Sequence, residues 1–127
     1  MKKIIQSDAA PKAVGPYSQG VAVNGFLFLS GQIPINPVIG KLIAGGVKEQ
    51  TRQVLLNIDA LLKDAGLRAE HVVKATVFLT DISKFTEMNQ VYAEYFCAYP
   101  PARSCVEVSK LPLGAQVEIE VVAALQK

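Results

Sequence analysis

Residues 116–125, with the sequence QVEIEVVAAL, are the stretch from which the fold can be worked out. Apolar side chains alternate along it with acidic or small ones, which predicts a β-strand with one buried face, because successive side chains of a strand point to opposite sides. The apolar row consists of Val117, Ile119, Val121, Ala123 and Leu125. Glu118 and Glu120 would then lie on the other face of the sheet.

Residues 72–80 and 102–108 predict two further strands of the same sheet. In 102–108 we assign Val106 and Val108 to the apolar row, which places Arg103, Cys105 and Glu107 with the two glutamates. In 72–80 the inward residues would be Val73, Ala75, Val77 and Leu79, and the outward ones Lys74, Thr76 and Phe78. We therefore expect two acids, an arginine and a thiol to converge on one face of the sheet.

Two helices are predicted, one before and one after the strand at 72–80. The first covers 47–65, with Gly66 at the left-handed stop position. Its apolar stripe is Val47, Val54, Leu55, Ile58, Leu61, Leu62 and Ala65. The second begins after Asp81 or Ser83, rival N-caps, and ends at Pro100-Pro101. Its stripe is Phe85, Met88, Tyr92, Tyr95, Phe96 and Tyr99.

The N-terminal part of the chain predicts a hairpin. Residues 18–23 and 26–30 are extended runs joined by Asn24-Gly25, a pair that accepts positive φ at both positions. A loop follows from Gly31 to Gly46, and a further short strand can form near residues 3–6. The order is β-β-α-β-α-β-β, which indicates an α+β fold: one domain over 1–127, a two-layer structure whose sheet is covered on one face by two helices.

Composition excludes several classes of function. The net charge is +2 without a run of Lys or Arg, so neither a nucleic-acid nor a membrane footprint stands out. No apolar stretch follows Lys2-Lys3, as a signal peptide would require, and two cysteines make no disulfide framework, so we expect a cytoplasmic protein. Half the residues are hydrophobic. We interpret this excess as surface buried against other copies of the chain, the alternative being a well-filled core.

Six segments, spread over essentially the whole chain, resemble motifs of the RidA/YjgF family, in the expected order. They are Gly15-Pro16-Tyr17-Ser18-Gln19, Ser30-Gly31-Gln32-Ile33-Pro34, Thr76-Val77-Phe78-Leu79-Thr80-Asp81, Met88-Asn89-Gln90-Val91-Tyr92, Pro101-Ala102-Arg103-Ser104-Cys105-Val106-Glu107-Val108 and Val117-Glu118-Ile119-Glu120. The resemblance implies a chorismate mutase-like fold, a homotrimer with active sites between subunits, and hydrolysis of 2-iminopropanoate and 2-iminobutanoate to 2-keto acids and ammonia, without a cofactor. The segments 96–100 and Leu113-Gly114 depart from the family pattern, and both would shape the rim of the cleft.

The same resemblance assigns roles to individual residues. Arg103 would bind the substrate carboxylate, and Glu118 would position the attacking water. The remaining substrate-binding residues would be Tyr17, Ser30, Gly31, Asn89 and Cys105, with Ser30 and Gly31 offering backbone groups and Cys105 its N–H.

Structural alternatives exist for several of these residues. Arg103 could pair with Glu107 or Glu120, Tyr17 could be a core residue, and Asn89 could be merely solvated. The spacing of Glu118 and Glu120 does not choose between them; the family pattern selects Glu118.

Other chemistries are less well supported by the sequence. A nucleophilic role for Cys105 would need a base, and His71, the single histidine, lies in a loop before a strand. No His/Cys/Asp cluster has the spacing of metal ligands, so we expect no metal. Two rival functions stay open: a ribonuclease or translation inhibitor, which one histidine and a charge of +2 disfavour, and a non-catalytic small-ligand-binding or chaperone-like module.

Overall fold

The computed structural model describes residues 1–126, in which two helices cover one face of a six-stranded sheet. The strands are β1 (Lys3–Ile5), β2 (Gly20–Val23), β3 (Phe26–Leu29), β4 (Ile35–Asn36), β5 (Lys41–Leu42), β6 (Val72–Leu79), β7 (Ala102–Glu107) and β8 (Val117–Ala124). The helices are α1 (Val47–Asp64) and α2 (Phe85–Tyr95). The predicted α+β class is confirmed.

The strand order in the sheet is β1-β2-β3-β8-β6-β7, which makes β8 a central strand and β7 an edge strand. Neighbouring strands are antiparallel except β6 and β7, which run parallel because α2 crosses over between them. The loop predicted from Gly31 to Gly46 also contains a small separate hairpin, β4 with β5.

The core lies between the helices and the inner face of the sheet. The predicted row of β8 is buried from Val117 to Ala123, and Val54, Ile58, Leu61 and Leu62 of α1 are completely buried against it. Each such aliphatic side chain contributes about 1.5–3 kcal/mol when removed from water. Helix α1 begins where the Glu49 carboxylate accepts a hydrogen bond from the Gly46 N–H, and Gly66 follows it with φ of 75°.

Two residues that we expected in the core are exposed. Val73 is 43% exposed because a β-bulge between Val72 and Lys74 shifts the register at the start of β6, so that Val72 is buried instead. Tyr99 is 78% exposed because α2 ends at Tyr95, earlier than Pro100-Pro101, and the chain turns with a positive φ at Tyr99.

The faces of β7 are the reverse of those predicted. Register pairs Arg103 with Ala75, Cys105 with Val77 and Glu107 with Leu79, so these three side chains lie on the helix side of the sheet. Val106 pairs with Phe78, which in turn pairs with Glu118. The expectation that Arg103, Cys105 and Glu107 share a face with Glu118 and Glu120 is therefore wrong. The prediction assumed that Val106 points into the core, but Val106 lies on an edge strand and is 44% exposed.

The face of the sheet opposite the helices, the open face, combines apolar and charged side chains. Its members include Phe26, Phe28, Thr76, Phe78, Val106, Glu118, Glu120 and Val122. Phe26 and Phe28 are each more than two-fifths exposed, and their rings are neighbours 6.4 Å apart. Part of the apolar excess seen in the composition therefore lies on this surface and not in the core.

Candidate functional site

Arg103 projects from β7 into a group of side chains on α2, which we call the arginine cluster: Phe85, Asn89, Tyr92 and Arg103. The guanidinium carbon lies 4.7 Å from the ring centroid of Tyr92 and 5.3 Å from that of Phe85. Nη1 of Arg103 donates a hydrogen bond of 2.7 Å to Oδ1 of Asn89. Asn89 therefore contacts Arg103 directly and is not merely solvated.

Arg103 has no carboxylate partner among residues 1–126, where the ion pairs involve other arginines and lysines. Glu107, one of the two partners considered for it, accepts a hydrogen bond from the N–H of Ile82 at 2.9 Å. Glu120, the other, projects from the open face. The guanidinium is thus held by neutral groups, and its positive charge remains available to an external carboxylate.

The backbone of β7 adds hydrogen-bond donors beside this guanidinium. Val108 donates its N–H to the carbonyl of Leu79 on β6, and donors alternate in direction along a strand. The N–H groups of Arg103 and Cys105 therefore point away from β6, towards the free edge of the sheet. The Cys105 N–H is thus placed at the sheet edge, and its contact with substrate stays a prediction.

The thiol of Cys105 is poorly suited to nucleophilic attack. Burial raises its pKa, and the nearby charge of Arg103 offsets that rise only in part. His71 is engaged elsewhere: its Nδ1 accepts a hydrogen bond from the Arg68 N–H, and its Nε2 lies 2.9 Å from the side-chain nitrogen of Gln126. The single histidine is thus not placed to act as the base for a cysteine nucleophile.

Glu118 lies in a cleft of about 880 Å³, which we call the glutamate cleft. Among its lining residues are Tyr17, Ser30, Gly31, Ile33, Leu113 and Glu118. A side chain at position 31 would collide with the Glu118 carboxylate, so glycine there allows the close approach of loop and carboxylate. Burial raises the pKa of Glu118, and the neighbouring Glu120 raises it further. Glu118 is partly buried, whereas Glu120 is exposed.

Tyr17 and Ser30 form one wall of the glutamate cleft. Tyr17 is 49% exposed, so it is not a core residue, and its hydroxyl accepts a hydrogen bond of 3.4 Å from the Val14 N–H. Ser30 uses both of its donors within the chain: its hydroxyl donates to the Ser18 carbonyl and its N–H to the Gln19 carbonyl. Of the backbone groups that Ser30 was expected to offer, the N–H is therefore engaged within the chain, which leaves Gly31 as the better candidate for a backbone contact with ligand.

The arginine cluster and the glutamate cleft lie on opposite sides of the sheet. Arg103 shares its face with Ala75, whereas Glu118 shares the open face with Phe78. One chain therefore does not bring Arg103 and Glu118, the two expected catalytic residues, together. Loop residues, not strand residues, supply most of the glutamate cleft.

Three residues that matter to these sites were not singled out from the sequence. Phe85 and Tyr92 were treated only as core residues of α2, although their spacing from Asn89 places all three on one side of the helix. Gln19 is buried. Its side-chain oxygen accepts a hydrogen bond from the Ser7 N–H, and its side-chain nitrogen donates one to the Pro11 carbonyl, so it ties the N-terminal segment to the chain near Ser30. A glutamine inside a loop motif gives no periodic signal, so nothing in the pattern revealed its burial.

The described part of the chain has neither a metal-binding cluster nor a membrane-spanning helix. No group of three or more His, Cys, Asp or Glu side chains is arranged to hold a metal ion there. Nor is any of its helices long and apolar enough to span a membrane.

Comparison with known proteins gives one consistent family. The family model described as Endoribonuclease L-PSP matches residues 7–125. A RutC family protein of Aquifex aeolicus is 55% identical over 121 residues, covering 94% of this chain and 96% of the relative. A Bos taurus protein named 2-iminobutanoate/2-iminopropanoate deaminase is 47% identical over 123 residues, covering 97% of this chain and 90% of the relative.

Solved structures agree with this result over the whole length of the chain. The YyfA protein of Yersinia pestis, described as a protein of unknown function of the conserved Rid protein family, superposes with a TM-score of 0.96 at 52% identity, covering 98% of this chain and 100% of that one. Escherichia coli TdcF, solved with bound serine, gives a TM-score of 0.93 at 42% identity, covering 98% and 99%.

Proposed function

The chain belongs to the Endoribonuclease L-PSP family, the family of the RidA/YjgF and RutC proteins, and from this premise we propose that it is a hydrolase that converts 2-imino acids to 2-keto acids and ammonia. The favoured substrates are 2-iminopropanoate and 2-iminobutanoate. Two relatives support the choice of chemistry: one 47% identical is named for this reaction, and one 42% identical was solved with bound serine, an amino acid with the same carboxylate next to a nitrogen-bearing carbon.

The observation that carries the proposal is the guanidinium of Arg103, which has no carboxylate partner among residues 1–126 and lies on an edge strand whose Arg103 and Cys105 N–H groups point away from β6. A 2-imino acid presents a carboxylate that matches the guanidinium fork, and the Cys105 N–H at the strand edge adds a donor. Because the arginine is held by rings and an amide and not by an acid, no internal carboxylate has to be displaced.

Glu118 supplies the second half of the proposed mechanism. The imine carbon of a protonated 2-imino acid is already electrophilic, so the reaction needs orientation and a placed water. The Glu118 carboxylate accepts a proton from that water as the new carbon–oxygen bond forms. Protonated Glu118 returns this proton to the nitrogen of the resulting carbinolamine, which then expels ammonia. The hydroxyl proton passes back through the carboxylate to the released ammonia as the keto acid forms. General acid–base help of this kind is worth about 10²–10⁴-fold in rate.

The proposed active site is shared between subunits of a homotrimer. Arg103 and Glu118 occupy opposite sides of one sheet, so a substrate held by both must lie between two copies of the chain. The exposed phenylalanines of the open face, Phe26 and Phe28, offer apolar surface for such an assembly.

A coupled assay tests the reaction. A serine dehydratase generates 2-aminoacrylate, and loss of the imine is followed with and without this protein. We expect acceleration by the wild type and none by Arg103→Ala. Equal imine lifetimes with and without wild-type protein would contradict the proposed activity, and would favour a non-catalytic ligand-binding role if pyruvate still binds.

A further inference from the structure

One side of α2 is built around the guanidinium of Arg103. Phe85, Asn89 and Tyr92 are spaced four and three residues apart, which aligns them along one side of a helix. Two of the three meet the guanidinium with aromatic rings and the third with an amide oxygen. Three residues on one side of α2 therefore contact a single side chain of β7.

We propose that Tyr92, with Phe85, is a positioning residue for Arg103: the two rings hold the guanidinium at the edge of β7 and leave its hydrogen-bond donors free for substrate. The inference rests on the proposed function, in which Arg103 binds a carboxylate. It adds residues to that site without assigning them any contact with the reacting atoms.

The rings suit this task because they attract a cation without neutralising it. A guanidinium has five N–H donors, and Asn89 takes one of them. An aromatic face attracts the cation through its quadrupole but is no match for a carboxylate as a hydrogen-bond acceptor. An acidic residue in the place of Tyr92 would hold the arginine more strongly and would compete with the substrate.

Tyr92 itself shows that its ring matters more than its hydroxyl. The residue is 5% exposed, and among the described residues its hydroxyl finds no hydrogen-bond partner. The ring packs against that of Phe96 at 4.6 Å, which fixes it beneath Arg103. Removing the hydroxyl should therefore be harmless, whereas removing the ring should release the guanidinium.

The test measures pyruvate binding by calorimetry and steady-state imine hydrolysis for variants of Tyr92, Phe85, Tyr95 and Arg103. Tyr92→Leu should weaken pyruvate binding and raise KM by about 2- to 30-fold, the range expected for a cation–π contact, with kcat within about twofold of wild type. Tyr92→Phe should bind like the wild type and melt no lower. Phe85→Leu, a milder change at a half-buried position, should weaken binding by about 2- to 10-fold.

Tyr95→Leu is the matched control for loss of a ring from the same helix. Tyr95 packs on Phe96 and donates a hydrogen bond to Asp59, but makes no cation–π contact with Arg103. This variant should melt at a lower temperature and still bind pyruvate normally. If it weakens binding as much as Tyr92→Leu does, the effect is general packing and the inference is wrong.

The remaining outcomes separate this inference from the proposed function. Wild-type binding of pyruvate that is lost in Arg103→Ala supports the carboxylate site itself. With that result in hand, normal pyruvate binding by folded Tyr92→Leu overturns the positioning role, and if Tyr92→Leu does not fold, normal binding by Phe85→Leu overturns it. Wild-type protein that neither binds pyruvate nor hydrolyses imines contradicts the proposed function instead.

Discussion

Glu118 sits where a carboxylate is costly to ionise, and the fold maintains it there. Its pKa is raised because burial removes water from the charged form and because Glu120 adds a like charge. A base whose pKa lies closer to neutrality than that of a free glutamate is better matched to proton transfer near neutral pH. In the proposed mechanism this position would therefore favour reactivity at the expense of stability.

Replacing Glu118 by glutamine should separate catalysis from binding. Glutamine preserves shape but cannot accept the proton from water, so kcat should fall by about 10²–10⁴-fold while pyruvate affinity stays close to wild type. The measurement is imine hydrolysis beside pyruvate titration. Glu120→Gln, the matched control two residues along β8, should keep most of the activity. The reverse pattern would show that Glu120 is the base.

The acid limb of the pH–rate profile should report Glu118. In the proposed mechanism activity requires the carboxylate, so kcat/KM, which reports groups of the free enzyme, should fall as the pH drops through a pKa that lies above the ordinary value of 4.5. Glu120→Gln removes one of the two causes of that rise, so the inflection should move to lower pH. Since the raised pKa also means that the folded state disfavours the charged form, Glu118→Gln should melt at a higher temperature than wild type at pH 7. An inflection unmoved by Glu120→Gln would contradict this assignment.

Gly31 gives a test of the geometry around the same carboxylate. A methyl group at position 31 would collide with the Glu118 carboxylate, and the flexible side chain would move sooner than the backbone. Gly31→Ala should therefore fold and bind pyruvate, but lose at least about tenfold in kcat, because misplacement of a catalytic group by about 1 Å is costly. Normal kinetics in Gly31→Ala would mean that Glu118 does not act from this position.

At the scale of elements, the hairpin between β2 and β3 shows how local sequence determines structure. Asn24 and Gly25 both have positive φ, at 50° and 83°, as the Asn-Gly pair predicts. Gly25 has open space around it, so alanine there would suffer only from backbone strain.

Gly25→Ala should accordingly lower the free energy of unfolding by about 1 kcal/mol. Imine hydrolysis should not change, because the hairpin lies outside both clusters. Asn24→Gly is the control: glycine accepts the same φ, so stability should stay within about 0.5 kcal/mol of wild type. Denaturant unfolding measures both variants. Equal stability of Gly25→Ala and wild type would show that the turn relaxes to another type.

Elements were predictable where the residue pattern of one segment determines them. They were not predictable where the orientation of one element depends on its packing against another. Helix α1 and the buried row of β8 followed from periodicity alone. The orientation of β7 did not, because alternation within a strand does not say which of its faces meets the helices. Arg103 lies on the helix side because α2 offers it Tyr92 and Asn89, a match that only the packed structure displays.

The same limitation applied to the candidate site. Arg103 and Glu118 were selected by resemblance, and the structure places them on opposite sides of the sheet. The contributions of Gly31 and Gln19 depend on where a loop returns to the sheet, which no local pattern encodes. Motifs could thus nominate candidate residues, whereas the division of the candidate site into two clusters required the register of the strands.

At the scale of the whole molecule, the separation of the two clusters makes a strong prediction about mixed assemblies. If each active site takes Arg103 from one subunit and Glu118 from its neighbour, two inactive variants should rescue each other. Arg103→Ala and Glu118→Gln subunits, denatured together and refolded at equal amounts, should recover roughly a quarter of wild-type activity, because both required residues are intact at about one site in four after random assembly.

The control is a double variant that carries both substitutions in one chain. It is refolded alone, without either single variant, so that its sites have no intact Arg103 or Glu118. It should remain inactive after the same refolding, whereas the mixture of single variants regains activity as oligomers re-form. Native mass spectrometry of the same samples should show trimers containing both kinds of subunit. Mixed trimers without any recovered activity would mean that Arg103 and Glu118 do not meet across an interface. Only monomers at micromolar concentration would contradict the shared site altogether, since one chain keeps the arginine cluster and the glutamate cleft apart on opposite sides of its sheet.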